Sequence, residues 1–557
     1  MKFTDVLLRK HTVFLFVIFV GALILRVYNL SSIPNGLHVD ELNAGYQGYK
    51  IIKTGSDIFG EKLPIFINRF GDYRPAGIFY LTGLFIALFD MTTFFTRLPS
   101  ALIGALSVVS LFFLTRIVAK NTTIALLSSF LLAISPWHIV ASRATSESIV
   151  ALFLTITGVT LLLHVIEHGR FIFFAGAFFL LLLSYFFYHT PRFFIPAFLI
   201  FLSICLSLIP KISDRSLKKV NKKPLLFLTL FFIAITIGFS LTSFGRGRFD
   251  QTSIFISDEV RKNIKTLEDT DGGNIFLARL FHNKPVVFVK EFIDQYDTYF
   301  SSNFLFLRGG YPHRYEVPDA GLLYYIEFPL LFIGFYFLVR RKSVFFFVPI
   351  IWLLLGPVAA SFTNEDTPNI QRAIFMLPAF QIISAFGLYA FFAHTPKRFL
   401  RTLGTLCILL LFVNGIYFFH QYFVHTPSSL SFTRNDGNDT LFDYLSSKEK
   451  ENDVIYMPLT DDFPLYYSFF QLKKDKILSI SRSDYSEGVH IGKYVFVPHE
   501  CPEHVVVQRE TLTNNRVIVV SFPRCGKGTN VLIYHDTIVR KDTTEAYYIS
   551  TFKREEH

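Results

Sequence analysis

Residues 12–41, TVFLFVIFVGALILRVYNLSSIPNGLHVDE, set the reading of the whole chain. An apolar run follows a basic start (Lys2, Arg9, Lys10) and gives way to a polar loop carrying the neighbouring acids Asp40 and Glu41. The run is too long for the core of a cleaved signal peptide, and no small-residue cleavage site follows it. It reads as a retained first membrane span. The acids then stand just beyond the membrane.

The rest of the chain repeats this grammar. Apolar stretches of spanning length recur near 98–118, 122–138, 147–166, 170–188, 191–209, 224–243, 321–339, 343–361, 372–393 and 402–423. Only 17% of the 557 residues are charged, against about 25% in soluble domains, and Phe alone occurs 67 times. The net charge of +11 fits basic cytoplasmic loops and is no sign of nucleic-acid binding. The strongest such loops are Lys211–Lys223, Arg340-Arg341-Lys342 and Lys397–Arg401. Placing all three and the N-terminus inside requires that Ala76–Phe89 does not cross. The expectation is an α-helical polytopic protein of the cell (plasma) membrane. It has about eleven transmembrane helices, an N-terminus in the cytoplasm, and 76–89 as a juxtamembrane helix at the outer surface.

This topology sends the large polar segments outside: a first loop over 31–97, a long loop over 244–320, and a tail. Residues 1–424 form the membrane domain and 425–557 a small extracytoplasmic α/β domain. The tail's strand-like runs are Val454–Met457, Tyr494–Val497, Val505–Val507, Val517–Val520 and Val531–Tyr534. Cys501 and Cys525 fall on the oxidising side and are free to pair. Cys205 and Cys407, within apolar runs, read as packing residues. Cys525-Gly526-Lys527-Gly528-Thr529 lacks the upstream Gly and the Ser or Thr after Lys that a nucleotide loop needs.

The chemistry gathers on the outer face. An acidic pair at the bilayer edge suits a general base acting on an acceptor hydroxyl, although Asp40-Glu41 taken alone reads more readily as a solvated loop charge or a helix cap. His38 precedes the pair. Asp72-Tyr73-Arg74-Pro75 follows in the same loop, Arg143 and Glu147 stand at a span boundary, and His189 and Arg192 lie in a tight turn. Arg372 opens a late span after Glu365 and Asp366. Arginines beside headgroups suit a lipid-linked phosphate, which a guanidinium binds with two parallel bonds.

The ordered set of motifs carries a resemblance. It comprises the first span with Asp-Glu after it, Arg74-Pro75 with Tyr80, Arg97-Leu98-Pro99-Ser100, Ser135-Pro136-Trp137, and Ser142-Arg143 followed by Glu147. Over roughly residues 10–425 the chain resembles the GT-C glycosyltransferases, in the branch of the protein O-mannosyltransferases and the lipid A aminoarabinose transferases. The resemblance implies an inverting transferase that moves a hexose or pentose from a polyprenyl-phosphate carrier to a protein, lipid or glycan acceptor. It implies Asp40 as base with Glu41 beside it, and Arg74 and Arg372 on the donor phosphate, joined by His189 and Arg192. His38, Asp72, Tyr73, Arg143 and Glu147 complete the expected site. Relatives that bind a metal carry an acid directly before the basic-Pro pair. Tyr73 holds that place here and Asp72 is displaced by one, so a divalent metal stays open. His282 and His313 on the long loop are further candidates. Two other activities share these features: a polyprenyl-lipid flippase, disfavoured because spans 98–118, 224–243 and 402–423 lack charges between their ends, and an oligosaccharide ligase using a diphosphate-linked donor.

Overall fold

A computed structural model describes residues 3–69, 72–208, 223–242, 252–270, 276, 280–340, 345–448, 454–459, 463–473, 488–504, 516–527 and 532–552. Most of the basic loop 211–223, Arg246 and Arg248, and the expected strand 505–507 lie outside these residues.

Helices dominate up to residue 429. The first ten are α1 (Phe3–Val27), α2 (Val39–Thr54), α3 (Gly77–Leu88), α4 (Thr93–Ala119), α5 (Thr122–Ile134), α6 (Pro136–Ser142), α7 (Glu147–His168), α8 (Phe171–Ser184), α9 (Thr190–Leu208) and α10 (Lys223–Ser240). Later ones include Glu327–Arg340, Phe347–Leu355, Leu377–His394 and Lys397–His420.

Among the described residues, seven helices are long and apolar enough to cross a membrane, eight if α5 and α6 count as one bent span. The expected eleven are thus not all full-length helices. Segments 170–188, 321–339 and 343–361 form shorter ones, of which α8 and Glu327–Arg340 each have 14 residues. The expected span 122–138 breaks by 56° at Ser135. Pro136 causes the break: it disfavours helical backbone at the residue before it and supplies no N–H to the turn. Ser135 then caps the new helix, its side chain accepting from the His138 N–H. Apolar side chains on the outward faces, such as Phe14, Phe16, Ile408 and Phe412, are exposed as lipid-facing residues should be.

Residues 76–89 form a short helix, as expected. With 12 residues, α3 is about 18 Å long against a hydrocarbon core of about 30 Å. It lies against α2, and the two backbones touch where Gly48 meets Gly83. A Cβ on Gly83 would stand 2.1 Å from the Gly48 carbonyl carbon. Between α2 and α3 runs a hairpin of β1 (Phe66–Arg69) and β2 (Asp72–Pro75), with Ile67 opposite Arg74.

The tail forms a six-stranded mixed sheet in the order β4-β5-β3-β6-β8-β7. Its strands are β3 (Val454–Pro458), β4 (Val489–Ile491), β5 (Tyr494–Val497), β6 (Val517–Ser521), β7 (Leu532–Val539) and β8 (Glu545–Phe552). β3 runs parallel to β5 and β6, and the edges are antiparallel hairpins. Cys501 and Cys525 are disulfide-bonded. The core under the sheet does not stop at the tail. Leu441, Phe442, Phe463 and Tyr466 pack in one cluster with Leu37, Leu42, Tyr46 and Tyr49 of the first loop and α2. The last membrane helix also runs on past residue 424, as one apolar segment from Lys397 to Ser429.

Candidate functional site

The start of α2 sends its two acids in opposite directions. His38 caps the helix: its Nδ1 accepts from the Asp40 N–H at 3.1 Å, while the Glu41 carboxylate accepts from the His38 N–H at 3.3 Å. This is a capping box with histidine where serine or threonine usually stands. Because the Nδ1 lone pair already accepts the hydrogen bond from the Asp40 N–H, this nitrogen carries no proton and the 3.7 Å approach of His38 to Asp40 is not an ion pair. Burial and the nearby Arg314 hold the His38 pKa down to about 3, so the ring is neutral.

Asp40 faces a cavity of ≈ 530 Å³. Arg74 Nη1 lies 2.8 Å from its Oδ1, and Arg314 Nη2 donates to its Oδ2 at 3.0 Å. Arg74 is carried by β2. Arg314 sits in a short 3-10 turn, His313–Tyr315, on the long loop. Burial opposes the Arg314 charge, but the Asp40 carboxylate and Tyr315 together reverse this and raise the arginine's pKa.

Glu41 does not join that cavity. Its side chain is buried and meets Arg97 Nε and Nη2 at 3.0 Å each, Arg434 Nη2 at 2.6 Å and the Thr145 N–H at 3.0 Å. Burial pushes its pKa up, yet the two guanidiniums more than reverse this and hold it at about 2. Arg97 also donates to the Leu30 and Pro34 carbonyls. Glu41 is therefore a hub joining the first loop, α4, the turn before α7 and the tail, and it does not stand beside Asp40 on the cavity wall.

Four other expected residues do line the cavity with Asp40 and Arg74: Glu147, His189, Arg192 and Arg372. Glu147 opens α7. Arg372 begins a 3-10 turn and bonds Glu365 Oε2 and Thr363 Oγ1, each at 2.7 Å. Arg192 is 8% exposed. It donates to His189 Nδ1 at 3.1 Å and to the Tyr185 carbonyl at 3.2 Å. Its guanidinium lies against the rings of Phe66 and Phe239, 5.1 and 5.0 Å from their centroids, and the two rings meet edge to face. It has no carboxylate partner among the described residues, and its Nε is buried without a hydrogen bond. Phe193, Phe239 and Phe362 give the same cavity apolar wall.

The remaining expected residues stand elsewhere. Arg143 is fully buried and clamps the Leu25 and Ile33 carbonyls at 2.8 Å each and the Tyr422 hydroxyl at 3.2 Å. It fastens the end of α1 to the last membrane helix. The Tyr73 hydroxyl accepts from Asn68 within the β1–β2 hairpin, and Asp72 opens β2. His313 pairs with Glu316 in its own turn, and neither it nor His282 lines the cavity. Three arginines were missed. Arg97 sits in a quoted motif but received no role. Arg314, one residue from His313, and Arg434, in a polar stretch, carry no local signal.

A divalent metal does not fit this centre. Both Asp40 oxygens face guanidinium groups, whose charge opposes a second cation. Among the described residues, the acid, histidine or cysteine group close enough to share an ion is Cys501, Glu503 and Cys525, and its two cysteines are bonded to each other.

Residues 73–239 match the family model described as dolichyl-phosphate-mannose-protein mannosyltransferase. An oligosaccharyltransferase from Archaeoglobus fulgidus, solved with zinc and sulfate, shares the fold at a TM-score of 0.50 and 14% identity, over 96% of this chain and 72% of that one. AglB from the same organism, with an inhibitory peptide and a dolichol-phosphate, aligns at a TM-score of 0.49 and 13% identity, over 96% and 74%. ArnT from Cupriavidus metallidurans, bound to undecaprenyl phosphate, aligns at 0.49 and 10%, over 96% and 97%. No curated protein matches in sequence. The chain is thus similar, in sequence over residues 73–239 and in fold beyond them, to the GT-C membrane glycosyltransferases, the protein mannosyltransferases among them.

Proposed function

We propose that this protein transfers a sugar from a polyprenyl-phosphate carrier to an acceptor at the extracytoplasmic face of the cell membrane, with inversion at the anomeric carbon. The observation that carries the reading is Arg192. A buried cation with no carboxylate partner among the described residues is costly in a membrane protein, and this one lines a cavity that also holds Asp40. An anionic ligand removes that cost, and the phosphate of a lipid carrier supplies one while its chain stays in the bilayer.

The chemistry follows from the groups present. Asp40 accepts the proton of an acceptor hydroxyl as the hydroxyl oxygen bonds to the anomeric carbon. The bond from that carbon to the phosphate oxygen breaks on the opposite face, and its electron pair leaves with the phosphate. Charge grows on the phosphate as the bond breaks, so cations already fixed at the cavity wall stabilise the transition state more than the ground state. Arg192, held by two rings and two hydrogen bonds, needs no reorganisation to do this. Arg74 and Arg314, one on each carboxylate oxygen, fix where Asp40 points.

Transfer from a polyprenyl-phosphate sugar by purified protein tests the reading. Asp40→Asn should abolish transfer while leaving the melting temperature near wild type. Arg192→Leu should weaken undecaprenyl-phosphate binding about tenfold or more, the loss of one charge-assisted contact of about 1.5–3 kcal/mol. Unchanged transfer by Asp40→Asn would remove the mechanism. Lipid flipping that survives in Asp40→Asn, with no transfer by wild type, would instead support a carrier-lipid transporter.

A further inference from the structure

Arg434 lies outside the cavity, yet it touches both the start of the helix that carries Asp40 and the turn that carries Arg314. It is 1% exposed. Nη2 meets Glu41 Oε2 at 2.6 Å, next in sequence to Asp40. Nη1 donates to the Arg314 carbonyl at 3.2 Å, and Nε donates to the Asn35 carbonyl at 3.1 Å. One rigid guanidinium thus joins the first loop, the start of α2 and the long-loop turn that brings Arg314 onto Asp40. Its own segment is fixed from the other side. Asp436 accepts from the Lys541 N–H at 2.8 Å, in the turn between β7 and β8. The backbones are also in contact here, for a Cβ on Gly36 would stand 2.4 Å from the Arg434 carbonyl oxygen.

We propose that Arg434 is a positioning residue through which the C-terminal sheet domain sets the placement of Arg314 on Asp40. Displacing the tail segment moves the turn that carries Arg314, and with it one of the two cations that hold the base. The domain then governs activity from outside the cavity, touching neither sugar nor phosphate. The kinetic part of this inference rests on the transferase reading; the structural part does not.

The test is built to separate them. Full-length protein in detergent is labelled with phenylglyoxal, and the modification rates of Arg314 and Arg372 are followed by mass spectrometry. Arg434→Gln should raise the Arg314 rate several-fold and leave Arg372, held by Glu365, unchanged. Arg434→Lys keeps a charge for Glu41, but its compact head cannot serve all three acceptors. It should give the same labelling pattern with a melting temperature closer to wild type, and it replaces Arg434→Gln if that variant does not fold. An unchanged Arg314 rate, or equal increases at both arginines, overturns the proposal. In transfer assays, Arg434→Gln should cost about 10²-fold, as misplacement from a distance can. The double variant with Arg314→Gln should fall within about twofold of Arg314→Gln alone, since residues acting through one another are not additive. Multiplying losses overturn the coupling. A wild-type protein that transfers nothing fails the transferase reading and leaves the labelling result to decide the structural link.

Discussion

Asp40 and Glu41 differ by one methylene and one position, yet the capping turn at His38 divides their work. Asp40 meets two arginines that line a cavity, and Glu41 meets two that are wholly buried. Glu41→Gln should therefore destabilise the fold by about 3–5 kcal/mol, because it leaves Arg97 and Arg434 as uncompensated buried cations. Thermal melting of Glu41→Gln beside Asp40→Asn checks this. Equal melting temperatures for the two would contradict the assignment. Acid should also act here. His38 has a folded pKa of about 3 against an ordinary 6.5, so its contribution to stability is complete above pH 6.5 and declines as pH falls toward 3. Glu41, at about 2 against 4.5, adds a loss only below pH 4.5. Stability should thus fall with a slope near 1.4 kcal/mol per pH unit for one proton once pH drops below the histidine's ordinary pKa. His38→Asn, which keeps a capping side chain, should be less pH-dependent than wild type between pH 6.5 and 4.5 by about 1.4 kcal/mol per pH unit, the share of one proton. A variant with the same slope as wild type over that interval would refute the neutral, buried histidine.

Among the elements, the pairing of α2 with α3 decides where the site can form. The two helices approach until glycine backbones touch, which fixes α2, and so Asp40, against the hairpin that carries Arg74. Gly83→Ala places a methyl group where the Gly48 backbone already stands. It should cost about 1–3 kcal/mol or more, as overpacking does, and separate Asp40 from Arg74. Both a lower melting temperature and lower transfer are expected, and a silent Gly83→Ala would show that the helices can part without consequence. The break at Pro136 works at the same scale. It ends α5 early and starts α6, so that Arg143 emerges against the carbonyls of Leu25 and Ile33. The Ser135-Pro136 pair was legible in the sequence as a motif, but the bend it causes was not expected, because the apolar run across it continues unbroken.

Over the whole molecule, the tail packs into the half that holds Asp40 and is no appendage. Its core is shared with Leu37, Leu42, Tyr46 and Tyr49, and the Tyr466 hydroxyl donates to the Leu37 carbonyl at 2.6 Å, one residue before the cap. A chain ending after Ser429 would expose that apolar face and strip Glu41 of Arg434. It should aggregate on extraction and show no transfer, measured by size-exclusion chromatography and the same assay. A monodisperse, active truncation would mean that the tail can be dispensed with.

The sequence alone determined the class of protein, the apolar runs of its helices, the short α3, much of the sheet in the tail, and the gathering of Asp40, Arg74, Glu147, His189, Arg192 and Arg372 at one end of the bundle. These follow from hydropathy and from charge beside it, which are local and additive along the chain. Only the tertiary structure decided which charges meet. Arg314 and Arg434 lie 274 and 393 residues from the acids they bind, and no pattern near them marks that partnership. The same holds for Arg143 and Glu41, whose charged side chains sit at the outer boundary in sequence but are spent on carbonyls and counter-ions inside. A buried charge is fixed by what surrounds it in space, and that surrounding is assembled from the first loop, the long loop and the tail only when the chain is folded.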